Sequence, residues 1–347
     1  TKIRRFCICS RSIEIFGGVK KILVIRFSSI GDIVLTTPIV RCIKNQLEGV
    51  ELHYITKEEN RQILSENPYI DKLLFLQPSI WATIKMLRDE HYDVVIDLHN
   101  NQRTWLIKRI LGIKSFSFPK INFEKWLMVN FKINRLPHLH IVDRYFDAVK
   151  TIGVISDQKG LDFFIAAGDT LQQSMASPYI AWAIGAKQGT KQFPVQKIIE
   201  VLNSSAFPNI KVVLLGGKAD TARAELIMKA TATIAIESLV GKSSLQESAT
   251  ILKNAQVVIT NDTGLMHIAA ALRKPIISFW GNTIPEFGMT PYYGKNDVDN
   301  RILQVPDLLC RPCSKLGYDN CPRGHFKCME GIEVVELLQQ LQSLLMR

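Results

Sequence analysis

Residues 20–32 read KKILVIRFSSIGD, and this stretch indicates the type of fold that the chain adopts. The first part, Lys21–Arg26, is an almost continuous apolar run, which is typical of a strand buried on both faces of a sheet. A polar loop with one glycine follows directly, and a helical pattern occupies Val40–Leu47. A buried strand followed by a helix indicates a β–α–β unit, and such units build parallel sheets.

The same alternation continues along the chain and predicts two doubly wound, Rossmann-like α/β domains. Further strands are predicted at Val50–Ile55, Lys72–Leu76, Asp93–Leu98, Lys114–Phe118, Tyr179–Ile184, Lys211–Leu215, Val257–Thr260 and Ile276–Phe279. Further helices are predicted at Ile80–Arg88, Gln102–Leu111, Ile141–Thr151, Val195–Asn203, Ala219–Lys229, Leu245–Lys253, Leu265–Leu272 and Glu333–Leu345. The pattern lapses near 155–177, so the domains are placed at 20–157 and 175–332, with a C-terminal helix in 333–347.

Length and composition fit this organisation. At about 100–200 residues per domain, 347 residues suggest two domains, and 47% hydrophobic with 22% charged residues excludes wholesale disorder. The sequence has no run of about 18 apolar residues, which excludes an integral membrane protein. The net charge of +11 predicts acidic partners, which could be phosphates, nucleic acid or an anionic membrane surface.

Residues 1–19 are basic, but Arg11 and Glu14 interrupt any apolar stretch and no small-residue cleavage site follows. We interpret them as a flexible leader, with a short membrane-touching segment as the alternative, rather than as a signal peptide. Without an export signal, the protein is expected to be cytoplasmic and its seven cysteines mostly reduced.

The loop after the first strand contains Ser28, Ser29, Gly31 and Asp32. A carboxylate at the carboxyl end of a strand can act as a general base toward a substrate hydroxyl. The alternative is that Asp32 only caps the following helix. Neither a GxGxxG turn nor a GxxxxGK[ST] loop is present, which argues against a dinucleotide dehydrogenase and a P-loop enzyme.

A second polar turn, Thr260–His267 (TNDTGLMH), joins an apolar strand to a helix. Asp262 and Thr263 are good N-cap residues, and Gly264 allows the backbone to approach a ligand closely. The free amides of the first helical turn form an anion site, which His267 could also reach. The alternative is an ordinary capped helix with a packed histidine.

Two further loops end strands of the predicted C-terminal domain. Lys191 lies in the loop before Pro194, where an ammonium group could neutralise a diphosphate leaving group; a solvated surface lysine is the alternative. Asp220 in Gly216–Asp220 could accept hydrogen bonds from ribose hydroxyls, or cap a helix. Tandem domains of this kind are expected to place these loops around one central cleft.

Taken together, these motifs resemble the lipopolysaccharide heptosyltransferases, the bacterial glycosyltransferase family 9 with the GT-B architecture. The N-terminal resemblance rests on RFSSIGD at Arg26–Asp32 with Leu35–Pro38, and on DVVIDLHNNQR at Asp93–Arg103. The C-terminal resemblance rests on NDTGLMHIAAA at Asn261–Ala271, then Pro275 and FWGNT at Phe279–Thr283.

The resemblance implies inverting transfer of heptose from a nucleotide-activated donor, usually ADP-linked, to a lipopolysaccharide core acceptor, without a catalytic cofactor. It implies a soluble enzyme, peripheral at the inner face of the inner membrane, where phosphates and carboxylates on the acceptor would account for the basic charge. By position, the implied catalytic residues are Asp32 as general base and Lys191 at the donor phosphates. The implied donor site is Asp262, Thr263, Gly264, Leu265 and His267, with Asp220 toward the ribose, and the acceptor side is Ser28, Ser29, Gly31 and Arg103.

Two positions depart from the family pattern. Phe193 stands where a tryptophan is common, and Asp220 is shorter than the usual glutamate. These departures concern the donor base and sugar rather than the reaction class, so a related transferase using another nucleotide sugar is the main alternative.

Four cysteines, Cys310, Cys313, Cys321 and Cys328, crowd into 19 residues with His325 among them. The close first pair suits tetrahedral zinc, although the second pair is wider than in a zinc ribbon. Three interpretations stay open: structural zinc, reduced thiols or disulfide-like packing, and an iron–sulfur cluster. We expect the segment to be structural rather than catalytic.

Two rivals belong to other functional classes. A nucleic-acid-binding module would use the basic charge, but no helix-turn-helix or aromatic RNA-binding motif is visible and the basic residues are spread, so no nucleic-acid partner is expected. A non-catalytic, two-lobed sugar-binding protein is the second rival. Such proteins are usually exported, and residues 1–19 do not have the pattern of a signal peptide.

Overall fold

A computed structural model of the chain describes residues 20–167, 178–231 and 234–346. It contains two compact units. The first ends at Lys120 and resumes over Val142–Asp157, while the second comprises Ile121–Ile141 and the chain from Gln158 onward. The predicted domain 20–157 therefore includes residues 121–141, which belong to the second unit. The predicted leader, with Cys7 and Cys9, lies outside the described residues.

The elements alternate as the sequence predicts. The strands are β1 Lys21–Ile25, β2 Glu51–Thr56, β3 Lys72–Phe75, β4 Val94–Asp97, β5 Lys114–Ser117, β6 Tyr179–Ala183, β7 Lys211–Leu215, β8 Ile236–Ser238, β9 Val257–Asn261, β10 Ile276–Trp280 and β11 Asn300–Gln304. The α-helices are α1 Ile30–Val34, α2 Thr37–Gln46, α3 Arg61–Leu64, α4 Ile80–Asp89, α5 Gln102–Leu111, α6 Asn122–Phe131, α7 Ile141–Phe146, α8 Val195–Asn203, α9 Thr221–Ala230, α10 Leu245–Asn254, α11 Gly264–Ala271, α12 Lys327–Glu330 and α13 Val334–Leu345.

Both sheets are parallel and share one winding order. The first runs β3-β2-β1-β4-β5 and the second β11-β10-β9-β6-β7-β8. The strand order reverses between β1 and β4 in the first sheet and between β6 and β9 in the second. Open α/β sheets bind ligands at such reversal points, outside the carboxyl ends of the strands. A ligand-binding site is therefore expected at the loops that follow these four strands.

The cores explain why the apolar runs fold as they do. Ile22, Leu23, Val24 and Ile25 of β1 are all fully buried, because helices cover both faces of the sheet. Burial of each such side chain contributes about 1.5–3 kcal/mol. In the second unit, α13 packs its leucine face against α8 and the sheet, which confirms the predicted C-terminal helix.

The sequence misses the weakest elements. The sequence does not predict the edge strands β8 and β11, because polar residues such as Glu237 and Asn300 interrupt their apolar pattern. The short helices α1, α3 and α12 and the exposed helix α6 were also not predicted. The helix predicted over Ile141–Thr151 ends at Phe146. In the described ranges, no helix is long and apolar enough to cross a membrane.

One carboxylate joins strands of the first sheet. Glu90, at the end of α4, accepts from the ammonium groups of Lys21 on β1, at 2.8 Å, and of Lys72 on β3. These hydrogen bonds lower the pKa of Glu90 from 4.5 to about 2. A depressed carboxyl pKa stabilises the fold above the unfolded-state pKa, and that stability is lost as the pH falls toward the folded-state value.

We therefore expect Glu90→Gln to lower the melting temperature near neutral pH. The difference in melting temperature between the variant and the wild type should become smaller as the pH falls from about 5 to about 2. Thermal melts across that window provide the measurement, with the exposed Glu66→Gln as the matched control. A constant difference between Glu90→Gln and wild type at every pH would contradict this assignment.

Candidate functional site

Asp32 is fixed by its neighbours in the loop after β1. One carboxylate oxygen, Oδ1, lies 2.7 Å from Nη2 of Arg26. The other, Oδ2, accepts from the hydroxyl of Ser29 at 2.7 Å and from its backbone N–H at 3.2 Å. Asp32 therefore caps α1, as one interpretation of the sequence had it, yet 22% of its side chain stays exposed. The carboxylate is held in one orientation and is still accessible to a substrate.

Arg26 is a functional candidate that the sequence reasoning missed. Its buried guanidinium donates from Nε to the carbonyl of Ser28 at 2.8 Å and from Nη1 to the carbonyl of Leu98 at 2.5 Å. Nη1 also donates to the hydroxyl of Tyr145 at 3.2 Å. Since Leu98 follows β4, Arg26 ties together the two loops at the first reversal point. A buried charge needs such partners, and a basic residue ending an apolar strand is the signal that could have revealed it.

The loop after β4 is organised by the buried Asp97. Its Oδ1 accepts from the backbone N–H groups of His99, at 3.0 Å, and Asn100, at 2.7 Å, while Nζ of Lys108 lies 2.7 Å from Oδ2. Burial, with the charge of Arg26, lowers the pKa of His99 to about 4, so its ring is neutral at neutral pH. Arg103 is exposed in the first turn of α5, which follows this loop.

In the second unit, three loops meet at one carboxylate. Nζ of Lys191, after β6, donates to Oδ2 of Asp262, after β9, at 2.6 Å. The hydroxyl of Thr283, after β10, donates to the same oxygen at 3.0 Å. Only 18% of the Lys191 side chain and 11% of the Asp262 side chain are exposed. Lys191 is therefore a fixed, ion-paired group, and the solvated surface lysine is not what the structure shows.

This meeting point lies beside the N-terminus of α11. Thr263 is the N-cap residue, Gly264 begins the helix and Leu265 follows in the first turn. The hydroxyl of Thr263 is buried and has no hydrogen-bond partner within the described part of the chain. His267 is only 2% exposed, as expected for a packed histidine. Free helix amides and the macrodipole make this turn suitable for an anion.

Asn261, buried at the end of β9, is a second residue whose role the sequence does not reveal. Its buried amide nitrogen donates to the carbonyls of Ile184 and Gly185, both at 3.1 Å, and its oxygen accepts from the N–H of Phe193 at 3.0 Å. These contacts fix the chain on both sides of Lys191. The only sequence signal is a polar residue at the end of an apolar strand.

Asp220 and Phe193 are buried close to these loops. Asp220 accepts from the N–H of Gly217 at 2.9 Å, so the capping interpretation describes its contact; the ribose contact stays a prediction. A Cβ at Gly185 would lie 2.0 Å from Oδ2 of Asp220, which explains the glycine. Phe193 is 1% exposed and stacks on Phe279 with ring centroids 4.0 Å apart, as a core residue.

The cysteine-rich segment is held by backbone contacts. Its four cysteines are free thiols, and Sγ of Cys313 donates to the carbonyl of Cys310 at 3.0 Å. Burial raises the pKa of Cys328 to about 11, so this thiol is protonated at neutral pH. Over residues 20–167, 178–231 and 234–346, no three His, Cys, Asp or Glu side chains form a group that could hold a metal ion.

Known proteins resemble the chain over most of its length. The model of glycosyltransferase family 9 (heptosyltransferase) matches residues 80–316. Lipopolysaccharide heptosyltransferase 1 of Campylobacter coli is 27% identical over 313 residues, which cover 83% of this chain and 89% of that protein.

Solved structures show the same architecture. A glycosyl transferase family 9 protein from Veillonella parvula has a TM-score of 0.77 at 22% identity, covering 94% of this chain and 97% of its own. The E. coli ADP-heptose lipopolysaccharide heptosyltransferase II has a TM-score of 0.72 at 21% identity, covering 94% and 98%. This likeness confirms the predicted GT-B fold class.

Proposed function

Because the chain belongs to glycosyltransferase family 9, the heptosyltransferase family, and is a glycosyltransferase, we propose that it transfers heptose from ADP-heptose to a lipopolysaccharide core with inversion. The observation that carries the proposal is the meeting of Lys191, Asp262 and Thr283 beside the N-terminus of α11. The similar E. coli protein is an ADP-heptose lipopolysaccharide heptosyltransferase, which supports the choice of donor.

On the donor side, the leaving group is a nucleoside diphosphate whose negative charge grows as the glycosidic bond breaks. The amides of Thr263, Gly264 and Leu265 and the ammonium group of Lys191 lie where they can stabilise that charge. Asp262 holds Lys191 in position and leaves it less free to swing into solvent. We propose Asp220 as the residue toward the ribose, and His267 as packing beneath the turn. The positive charge that faces the diphosphate is therefore supplied by the side chain of Lys191 and by the backbone amides at the start of α11.

On the acceptor side, Asp32 acts as general base. The acceptor hydroxyl gives its proton to the carboxylate, its oxygen bonds to the anomeric carbon from the face opposite the diphosphate, and the bond to ADP breaks. Arg26 and Ser29 orient the carboxylate for this transfer. Ser28 and Gly31 shape the loop, and the exposed Arg103 is suited to phosphate or carboxylate groups on the acceptor.

A panel of donors tests the assignment. Purified protein is given ADP-heptose, GDP-sugars and UDP-sugars, and release of each nucleoside diphosphate is measured with the core acceptor present. We expect ADP release from ADP-heptose. Release of only GDP or UDP would instead establish the alternative, a related transferase with another nucleotide sugar.

We further propose that the enzyme works in the cytoplasm, at the anionic inner face of the inner membrane. Support comes from what we call the α6 patch. Phe123, Trp126 and Phe131 are 62%, 50% and 58% exposed, and Trp126 stacks or packs edge-on against the other two rings. The exposed Arg135 follows, whereas the ammonium group of Lys132 donates to the carbonyls of Val129 and Pro312. Aromatic and basic side chains together are typical of surfaces that lie in the lipid headgroup region.

The α6 patch gives a direct prediction for membrane binding. The double variant Trp126→Ser/Phe131→Ser should bind vesicles containing phosphatidylglycerol at least about tenfold more weakly, because each lost aromatic group removes buried apolar area. Co-sedimentation measures this, and Trp81→Ser, which removes a tryptophan 63% exposed in the first unit, is the matched control. The proposal would be contradicted if both variants lost vesicle binding equally, or if binding did not depend on the charge of the vesicles.

Structural zinc at Cys310, Cys313, Cys321 and Cys328 stays a proposal based on spacing alone. The four thiols do not fit zinc as placed, since within the described residues no three such donors converge. No catalytic step depends on it. Metal analysis of protein purified without a His tag tests it: stoichiometric zinc would support the site, and metal-free protein would leave reduced thiols as the interpretation.

A further inference from the structure

The cysteine-rich segment contacts the loop that carries Thr283. From the guanidinium of Arg311, Nε donates to the carbonyl of Gly281 at 2.5 Å and Nη2 to the carbonyl of Thr283 at 3.0 Å. Arg311 also donates to the carbonyl of Val305 at 3.0 Å and to Oε1 of Gln304 at 2.7 Å. One largely buried cation therefore fixes the backbone on both sides of Asn282, whose carbonyl accepts from the N–H of Cys313 at 3.2 Å.

The same segment contacts the loop that carries Lys191. The backbone N–H and hydroxyl of Thr190 both donate to the carbonyl of Tyr318 at 2.9 Å, and the N–H of Tyr318 donates to that hydroxyl at 2.8 Å. Thr190 is only 2% exposed. A Cβ at Gly189 would lie 2.1 Å from the carbonyl oxygen of Asp319, so the two chains pack backbone to backbone.

The two loops also contact each other under this segment. A Cβ at Gly281 would lie 2.9 Å from the carbonyl oxygen of Thr190 and 2.8 Å from the Met329 side chain. Their side chains, Lys191 and Thr283, then converge on the same oxygen of Asp262. The spacing of these two donors is therefore set by residues 311–329 and not by the sheet alone.

We propose that residues 311–329 form a brace that positions Lys191 and Thr283 on Asp262, with Thr190 and Arg311 as its positioning residues. The inference rests on the proposed function of Lys191 at the donor diphosphate. A lysine side chain is long and flexible, so its charge stabilises a phosphate fully only when its backbone is held. Thr190 directly precedes Lys191, and two of its three hydrogen bonds to the brace involve its hydroxyl, which a substitution can remove.

A double-mutant cycle tests the brace. Thr190→Val keeps the buried volume but removes the hydroxyl, and should weaken ADP binding about tenfold because two hydrogen bonds are lost. Thr190→Ser keeps the hydroxyl and should bind ADP within about twofold of wild type. In a Lys191→Met background, Thr190→Val should have little further effect, because the group that Thr190 positions is already gone. Calorimetric titration measures the affinity for ADP of the four proteins in the cycle, which are the wild type, Thr190→Val, Lys191→Met and the double variant.

Additive effects in the cycle, with ADP binding intact in the wild type, would overturn the brace while leaving the proposed function standing. Wild-type protein that binds GDP or UDP instead of ADP would overturn the donor assignment, and the same cycle with that nucleotide would still decide on the brace. Arg311→Lys is the second variant: the KM for the donor should rise about fivefold or more, with the KM for the acceptor unchanged. An equal rise in both KM values would show a general structural defect and would contradict a positioning role.

Discussion

Replacing Asp32 by Asn should lower kcat for sugar transfer by about 10²- to 10⁴-fold, because the acceptor hydroxyl loses its general base. The amide keeps the size of the carboxylate and can still accept from Ser29, so α1 should keep its cap. Donor affinity should change little, since the proposed diphosphate turn is formed by Thr263, Gly264 and Leu265 and not by Asp32. Steady-state kinetics with calorimetric ADP binding separates the two effects.

The matched control for this variant is Asp89→Asn, the same chemical change at an exposed position of the same unit. It should retain wild-type turnover. Retention of wild-type turnover by Asp32→Asn would overturn the assignment of the base. A loss restored fully by raising the acceptor concentration would assign Asp32 to acceptor binding instead.

Replacing Lys191 by Met should lower kcat/KM for the donor by about 10²- to 10³-fold, the usual effect of removing one preorganised donor to developing negative charge. Methionine keeps the apolar stem and removes the ammonium group. Asp262 would keep the hydrogen bond from Thr283, so the turn before α11 should stay formed. Initial rates at varied donor concentration, with circular dichroism as a check on folding, provide the measurement.

Lys187→Met is the control for this second variant, because Lys187 is exposed in the same loop. Its kcat/KM should stay within about threefold of wild type, as for a solvated surface charge. If Lys187→Met and Lys191→Met lost activity equally, the effect would come from the net charge of the loop, and the special role of Lys191 would be wrong.

The sequence predicted most of the fold because the sheets are buried on both faces. An apolar run such as Ile22–Ile25 is unmistakable when helices cover both sides. The edge strand β11 carries Asn300, Arg301 and Gln304 and gives no such run. Local pattern therefore identified the central strands and the edge strands β3 and β5, and missed the edge strands β8 and β11.

For the site, the sequence identified the loops but not the contacts between them. Arg26 bonds the carbonyl of Leu98, 72 residues away, and Asn261 bonds the carbonyl of Ile184, 77 residues away. Such pairings follow from the strand order and not from spacing along the chain. The pairing of Lys191 with Asp262 is of the same kind, which explains why Lys191 taken alone looked like a surface lysine.

The mass of the acceptor decides whether the protein transfers heptose. Protein is incubated with ADP-heptose and a lipopolysaccharide core acceptor that lacks its next heptose, and the acceptor is analysed by mass spectrometry. We expect the acceptor to gain the mass of one heptosyl unit, in an amount equal to the ADP released, and to gain none with Asp32→Asn. An acceptor whose mass is unchanged by ADP-heptose but increased by a UDP- or GDP-sugar would contradict heptosyl transfer.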